Sequence, residues 1–121
     1  MTAPIFEVVA VDAAVRAVLG AGPVRFYLFG MAPQNSPLPY AVWQVVGGSP
    51  ENYLAGRPDA DSFTLQVDAY GDDPLITRRI VEVLRDAIEL HAHITLWLGE
   101  SQDPATKRWR SSFRLDWITS R

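Results

Sequence analysis

His91 and His93, separated by Ala92, are the residues of this chain best suited to holding a metal. At the entry to a strand such a pair points one way, and a His-x-His pair binds a cation when further ligands converge on it. No third ligand is signalled by spacing, and a histidine just past a helix C-terminus is favoured by the helix dipole alone. Carboxylates gather at Asp59 and Asp61 and again at Asp68, Asp72 and Asp73. General acid–base work needs two carboxylates in distinct environments around a cleft. Asp73, however, has a sufficient role as a helix cap, and Asp59 stands in a proline-marked turn. Serines occur without a G-x-S-x-G elbow, and "GGSP" lacks the lysine of a phosphate loop. The absence of cysteine excludes thiolate nucleophiles, thiolate metal sites and disulfides, and it leaves the redox compartment open. Two chemical readings survive. One is a small metal- or carboxylate-dependent enzyme built on His91, His93 and the aspartates; the other is a module with one deep pocket for a small ligand.

Two further groups of residues suit docking better than catalysis. Arg108, Arg110 and Arg114 share one face of a strand, either solvated and paired with Asp116, Asp68 or Glu100 across the sheet, or presented to a neighbouring chain. Three arginines in a chain of net charge −3 are a weak footprint for nucleic acid, so no specific nucleic-acid binding is expected. The second group lies in "GGSPENYLAGRPDAD", where Tyr53 and Leu54 sit beside Glu51, Asn52 and Arg57 on an irregular stretch. Aromatic residues with arginine are what protein interfaces enrich. The alternative is that Tyr53 and Leu54 fold back as a plug over a sheet edge.

The elements that must carry these residues follow from periodicity. The chain has 121 residues, 48% hydrophobic and 21% charged, which predicts one soluble domain with a core of its own. No run approaches the ~18 apolar residues of a membrane span, and Met1 to Gly22 lacks the basic start of a signal peptide, so a cytoplasmic location is expected. Residues 3–19 read as one helix with Phe6, Val9 or Ala10, Ala13 and Ala17 along a stripe. Ile5, Val8, Val15 and Leu19 make it apolar over most of its circumference, and Gly20, Gly22 and Pro23 stop it. Strands are predicted at Val24–Phe29 and Tyr40–Val46, separated by a proline-rich loop. Ser62–Tyr70 alternates cleanly, with Phe63, Leu65, Val67 and Ala69 on one side. Asp73 and Pro74 open a helix whose inner stripe is Ile76, Ile80, Val83, Leu84, Ala87 and Ile88. Ile94–Leu98 and Lys107–Thr119 complete the set as strands joined by a Gly/Asp/Pro turn region. Trp43, Trp109 and Trp117 fall on apolar strand faces and fit the core. This order predicts an α+β domain over residues 1–121: a mostly antiparallel sheet of four to five strands, two helices on one face, and an extended loop or hairpin excursion from Gly47 to Asp61.

The stretch "PLPYAVWQVVGGSPENYLAGRPDADSFTLQVDAYG" resembles the phage tail completion family, also called tail terminators. That family shows a P-Y-V-V-W-Q-like strand, a G-x-P-x-N-Y-L-x-G-R-P-like excursion and a strand ending in D-x-Y, followed by a helix. "GESQDPATKRWRSSFRLDW" is similar to its C-terminal hairpin and closing aromatic strand. The matching positions are Pro39, Tyr40, Trp43 and Gln44 in the strand, and Pro50, Asn52, Tyr53, Leu54, Gly56, Arg57 and Pro58 in the excursion. Ala41 stands where the family more often has a larger aliphatic residue. The resemblance implies a subunit without catalysis or cofactor, made in the host cytoplasm and ending in the virion tail. It also implies a ring, usually hexameric, that caps the tail tube and meets the head–tail connector protein. Tyr53 and Arg57 are then the expected anchors, with Gly47, Gly48, Gly56 and Pro58 shaping the loop that presents them. Rings close by heterologous contacts, so such a subunit needs two unlike docking surfaces. The excursion and the arginine face are the candidates, and the all-round apolar first helix is a third.

Overall fold

A computed structural model describes residues 3–51, 56–57 and 60–120. The first helical segment is two helices rather than one, α1 (Ile5–Ala10) and α2 (Ala13–Leu19). Asp12 causes the break. Its backbone is extended, and its carboxylate accepts the Val15 N–H at 3.0 Å as the N-cap of α2. The break also resets the helical phase. Ile5 and Val9 are buried in α1 and Val15 and Leu19 in α2, a 9-to-15 step that one continuous helix could not bring to a single face. The expected Phe6–Ala13–Ala17 stripe therefore lies on the exposed side. Gly20 ends α2 with a φ of 96°, a conformation that favours glycine.

The strands are β1 (Phe26–Leu28), β2 (Tyr40–Pro50), β3 (Ala60–Gly71), β4 (His93–Gln102) and β5 (Trp109–Ser120), with α3 (Pro74–Ile88) between β3 and β4. They form one sheet in the order β1-β2-β3-β5-β4. β1 runs parallel to β2 and every other pair is antiparallel, so the expected mostly antiparallel α+β sheet is found with five strands and three helices. The strands differ from the sequence reading chiefly in length: β1 covers only Phe26–Leu28, β2 runs four residues past Val46, and β4 continues to Gln102.

All three helices pack on one face. Asp73 caps α3 by accepting the Ile76 N–H at 2.9 Å, and Pro74 occupies the first turn, where no N–H is missed. Ile80, Val83, Leu84, Ala87 and Ile88 are buried as the spacing predicts, but Ile76 is exposed and Thr77 takes the inner place. Thr77 bonds the Asp73 carbonyl at 2.9 Å, and it sits so close to Gly71 that a Cβ there would lie 2.5 Å from its hydroxyl. Against α3 lie Leu65, Val67 and Ala69 of β3 and Phe113, Leu115 and Trp117 of β5, with Ile5, Val9, Val15, Leu19 and Phe26 completing the core. Trp43 packs against that core half-buried. Trp109, also expected inside, is half-buried at the start of β5.

Candidate docking surfaces

The opposite face of the sheet carries no helix. Its side chains are the other half of the β3 and β5 alternation: Thr64, Gln66, Asp68 and Tyr70 stand across from Asp116, Arg114, Ser112 and Arg110. They bond one another in a row. Thr64 donates to Asp116 at 2.9 Å, Arg114 to Gln66 at 3.3 Å and Gln66 to Asp68 at 3.2 Å, while Ser112 donates to Asp68. The ion pairs expected for the three arginines with Asp116, Asp68 or Glu100 do not form. Glu100 pairs instead with Arg78 of α3 at 2.8 Å, and the two aspartates are taken up by neutral donors. A sheet face with three guanidinium groups is thus held by hydrogen bonds between one charged and one neutral group rather than by ion pairs.

At one end of this face the row becomes aromatic. Tyr40 and Tyr70 stack with centroids 5.0 Å apart, and Tyr27 lies 6.2 Å from Tyr40. Arg108, just before β5, donates to the Tyr40 hydroxyl at 2.9 Å and lies 5.7 Å from its ring centroid. Burial raises the Tyr70 phenol above its ordinary pKa; the Asp68 charge adds to the shift and Arg110 opposes it. A cavity of about 460 Å³ opens here, lined by Tyr40, Tyr70, Gln102, Asp103, Arg108 and Arg110. Asp103 is turned away to the backbone N–H groups of Ala105 and Thr106, at 2.8 and 3.2 Å, which hold its carboxyl below the usual range. Tyr40 is only 7% exposed, so it supports this cavity rather than projecting from it. Pro39 next to it accepts from Arg25 at 2.8 Å, and Gln44 lies half-buried opposite Gln66.

At the other end of the strands stands the excursion. Gly47 and Gly48 do not begin a loop. β2 continues through them to Pro50, pairing Gly48 with Phe63, Ser49 with Ser62 and Pro50 with Asp61. An irregularity between Val45 and Gly47 absorbs one extra residue and keeps the pairing. Glycine is needed at position 48 because a Cβ would sit 2.5 Å from the Ser62 carbonyl oxygen. The excursion is therefore the end of a long β2–β3 hairpin, tied by the Glu51 N–H to the Ala60 carbonyl at 2.9 Å. Glu51, Gly56 and Arg57 are exposed there, whereas Asn52, Tyr53, Leu54 and Pro58 lie outside the described residues.

A third surface was not singled out from the sequence. β4 is an edge strand exposed along nearly all its length, and Leu96, Trp97 and Leu98 are 48%, 54% and 40% exposed. The ring of Trp97 leans on Phe113 at 5.6 Å while its remainder faces outward. The signal available was the unbroken apolar triplet "LWL" on a strand whose neighbours already filled the core. The first-helix surface is smaller than expected, because Ile5, Val9, Val15 and Leu19 are all buried. His91 and His93 line one pocket with Glu51 and Asp116 but form no metal-binding group with them. His91 stacks on Trp117 with centroids 6.1 Å apart, His93 stands opposite Asp116, and no three metal-ligating side chains group together among the described residues.

The family model described as "Tail completion protein gp17" matches residues 3–120. A chain from the solved virion of a native gene transfer agent (GTA) particle has the same fold, with a TM-score of 0.69 over 97% of this chain and 92% of that one, at 11% identity. A search of curated protein sequences returns no match. Because the family match runs essentially from end to end, this chain belongs to the tail completion proteins, and is a structural component of a phage tail rather than an enzyme.

Proposed function

We propose that this chain is the tail terminator: copies of it close into a ring, six in number as the resemblance implies, on the finished tail tube. The ring stops tube growth and offers its far side to the head–tail connector protein. Subunits are made in the host cytoplasm and finish in the virion, with no cofactor; no described helix is long and apolar enough to cross a membrane.

The observation that carries this reading is the uneven covering of one sheet. A domain that needed only to fold would have no use for a prearranged arginine–tyrosine face, a β2–β3 hairpin prolonged through exposed residues to Pro50 and an apolar edge strand. Three unlike surfaces on one small subunit match what a ring requires, namely unlike patches for its two neighbours and another for what lies above or below. Exposed apolar side chains on an edge strand fit the last role best, since unpaired edges otherwise recruit wrong partners.

Electron microscopy of purified tail tubes mixed with the protein tests the reading. Caps at one tube end and arrested elongation are expected. Tubes that grow unhindered and stay bare would sink it. The Tyr53→Ala, Arg57→Ala double variant is expected to cap poorly, and full capping by that variant removes those two residues as anchors.

A further inference from the structure

At one end of the open sheet face, four strands contribute to a single row. Pairing sets Tyr40 beside Tyr70, Tyr70 beside Arg110, and Arg110 beside Ser101, one side chain each from β2, β3, β5 and β4. Residues directly opposite one another share a face, so all four border the same cavity of about 460 Å³. Arg108 joins from just before β5, donating to the Tyr40 hydroxyl at 2.9 Å and lying 5.7 Å from that ring's centroid. Tyr70 stacks on Tyr40 at 5.0 Å and accepts from Arg110. The charges around this row do not cancel. No carboxylate lies within ion-pair distance of either guanidinium among the described residues. Asp103, the lining carboxylate, is taken up by the Ala105 and Thr106 N–H groups, and Asp68 accepts from Ser112 and Gln66. We infer that this cavity binds a carboxylate from an acidic segment of a neighbouring protein, with Arg108 and Arg110 as the charged contacts and Tyr40 and Tyr70 as the platform that holds them.

Charge and preorganisation both point to an acidic protein segment. A guanidinium carries several N–H donors in a fixed fork that matches a carboxylate, and Tyr40 occupies only one side of the Arg108 fork. Tyr40 is 7% exposed, so the group that holds Arg108 is itself fixed by its surroundings. An arginine ordered in advance loses less freedom on binding than one that must first be ordered. Tyrosine and arginine together are also the residues that anchor protein interfaces. Lys107, exposed in the adjoining turn, adds to the positive field. A nucleic-acid backbone fits less well, because it needs a track of cations along the face. Beyond Arg110 that track fails: Arg114 is engaged by Gln66, and Asp68 and Asp116 stand beside it in a chain of net charge −3. A run of phosphates would meet those carboxylates, whereas a short acidic segment need reach only the two arginines at the end.

As a contact of the ring proposed above, the site depends on that reading only for which protein supplies the acid. Titrating the ¹⁵N-labelled protein with the peptide Ac-Gly-Glu-Glu-Gly-NH₂, and following the arginine Nε–H signals by NMR, tests it directly. Saturable shifts are expected at Arg108 and Arg110 but not at Arg114, and the peptide with glutamine in place of glutamate should shift none of them. Arg108→Gln should weaken binding about ten-fold, and salt at about 1 M should weaken it too, as charge pairing requires. Tyr40→Phe keeps the ring and removes the hydroxyl that holds Arg108, so a loss of about three-fold is expected. Arg114→Gln should leave the affinity unchanged. If Arg108→Gln lowers the urea midpoint, Arg110→Gln, at an exposed position, gives the same reading in a folded protein. No response to the glutamate peptide, an equal response to the glutamine peptide, or tighter binding of a thymidylate tetramer at the same arginines overturns the inference. If the protein caps tail tubes yet ignores the peptide, the ring proposal stands and this site falls; if it binds the peptide yet leaves tubes bare, the site stands and the ring falls.

Discussion

β3 and β5 present two surfaces that share a backbone and little else. Toward the helices, Leu65, Val67 and Ala69 meet Phe113, Leu115 and Trp117, all buried against α3. Toward the outside, one residue along in each case, Thr64, Gln66 and Asp68 bond Asp116, Arg114 and Ser112. The first surface holds the fold together by removing apolar area from water. The second adds less: each of its hydrogen bonds has one charged partner, but it replaces bonds to water on an open face and nets at most roughly 1.5–3 kcal/mol. What it does instead is fix side chains in place before any partner arrives, lowering the ordering cost of association. One sheet thus separates the work of stability from the work of docking.

The separation can be broken from either side. Phe113→Ala removes a fully buried ring from the covered face and is expected to lower stability by about 3–5 kcal/mol in urea unfolding. A loss under ~1 kcal/mol would mean that the helices contribute little to holding that face. Gly71→Ala drives a methyl into Thr77 at the β3–α3 corner, and a loss of roughly 1–3 kcal/mol is expected by the same assay. Removing the cap with Asp73→Ala should cost about 1 kcal/mol, read as a lowered melting temperature.

On the open face the order inverts. Arg110→Ala, at an exposed position, is expected to leave stability within about 0.5 kcal/mol of the parent while weakening assembly. Equal loss of stability and assembly would erase the distinction between the faces. The smallest effect concerns pH. The Asp103 carboxyl is depressed by the Ala105 and Thr106 N–H groups, so its contribution is fully present above the ordinary aspartate pKa, about 3.9, and disappears as pH falls through the lower folded value. Protection of the Ala105 and Thr106 amides, taken relative to the intrinsic exchange rate at each pH, should therefore stay constant down to about pH 4 and fall only below it. A fall beginning near pH 6 would assign the turn to some other group.

Much of the covered face was legible because it obeys short-range rules. The β3 alternation, the Asp73–Pro74 start of α3 and its inner stripe from Ile80 onward are each written in a few neighbouring residues. The failures share one cause. Asp12 favours an N-cap over a helix interior, but the apolar residues on both sides of it carry the helical pattern across, and the phase at which Val9 and Val15 must both reach the core decides for the cap. "VVGGSP" carries turn residues, yet pairing with Asp61–Leu65 overrides that local preference and prolongs β2. Arg110 and Arg114 lie on β5 as the alternation predicts and Arg108 just before it, but the partners expected for them were not found. Tyr40 and Arg108 lie far apart in the chain and meet only through the β2-β3-β5 order.

By itself, then, the amino-acid sequence determined the α+β class and most of the inward-facing residues of β3, β5 and α3, since these depend on side-chain period and residue type alone. The tertiary structure decided where the hairpin ends, which tyrosines the arginines hold, and that Leu96, Trp97 and Leu98 stay uncovered. Those outcomes depend on which strands become neighbours and on how much sheet three short helices can cover. Residues within a few positions of one another encode neither.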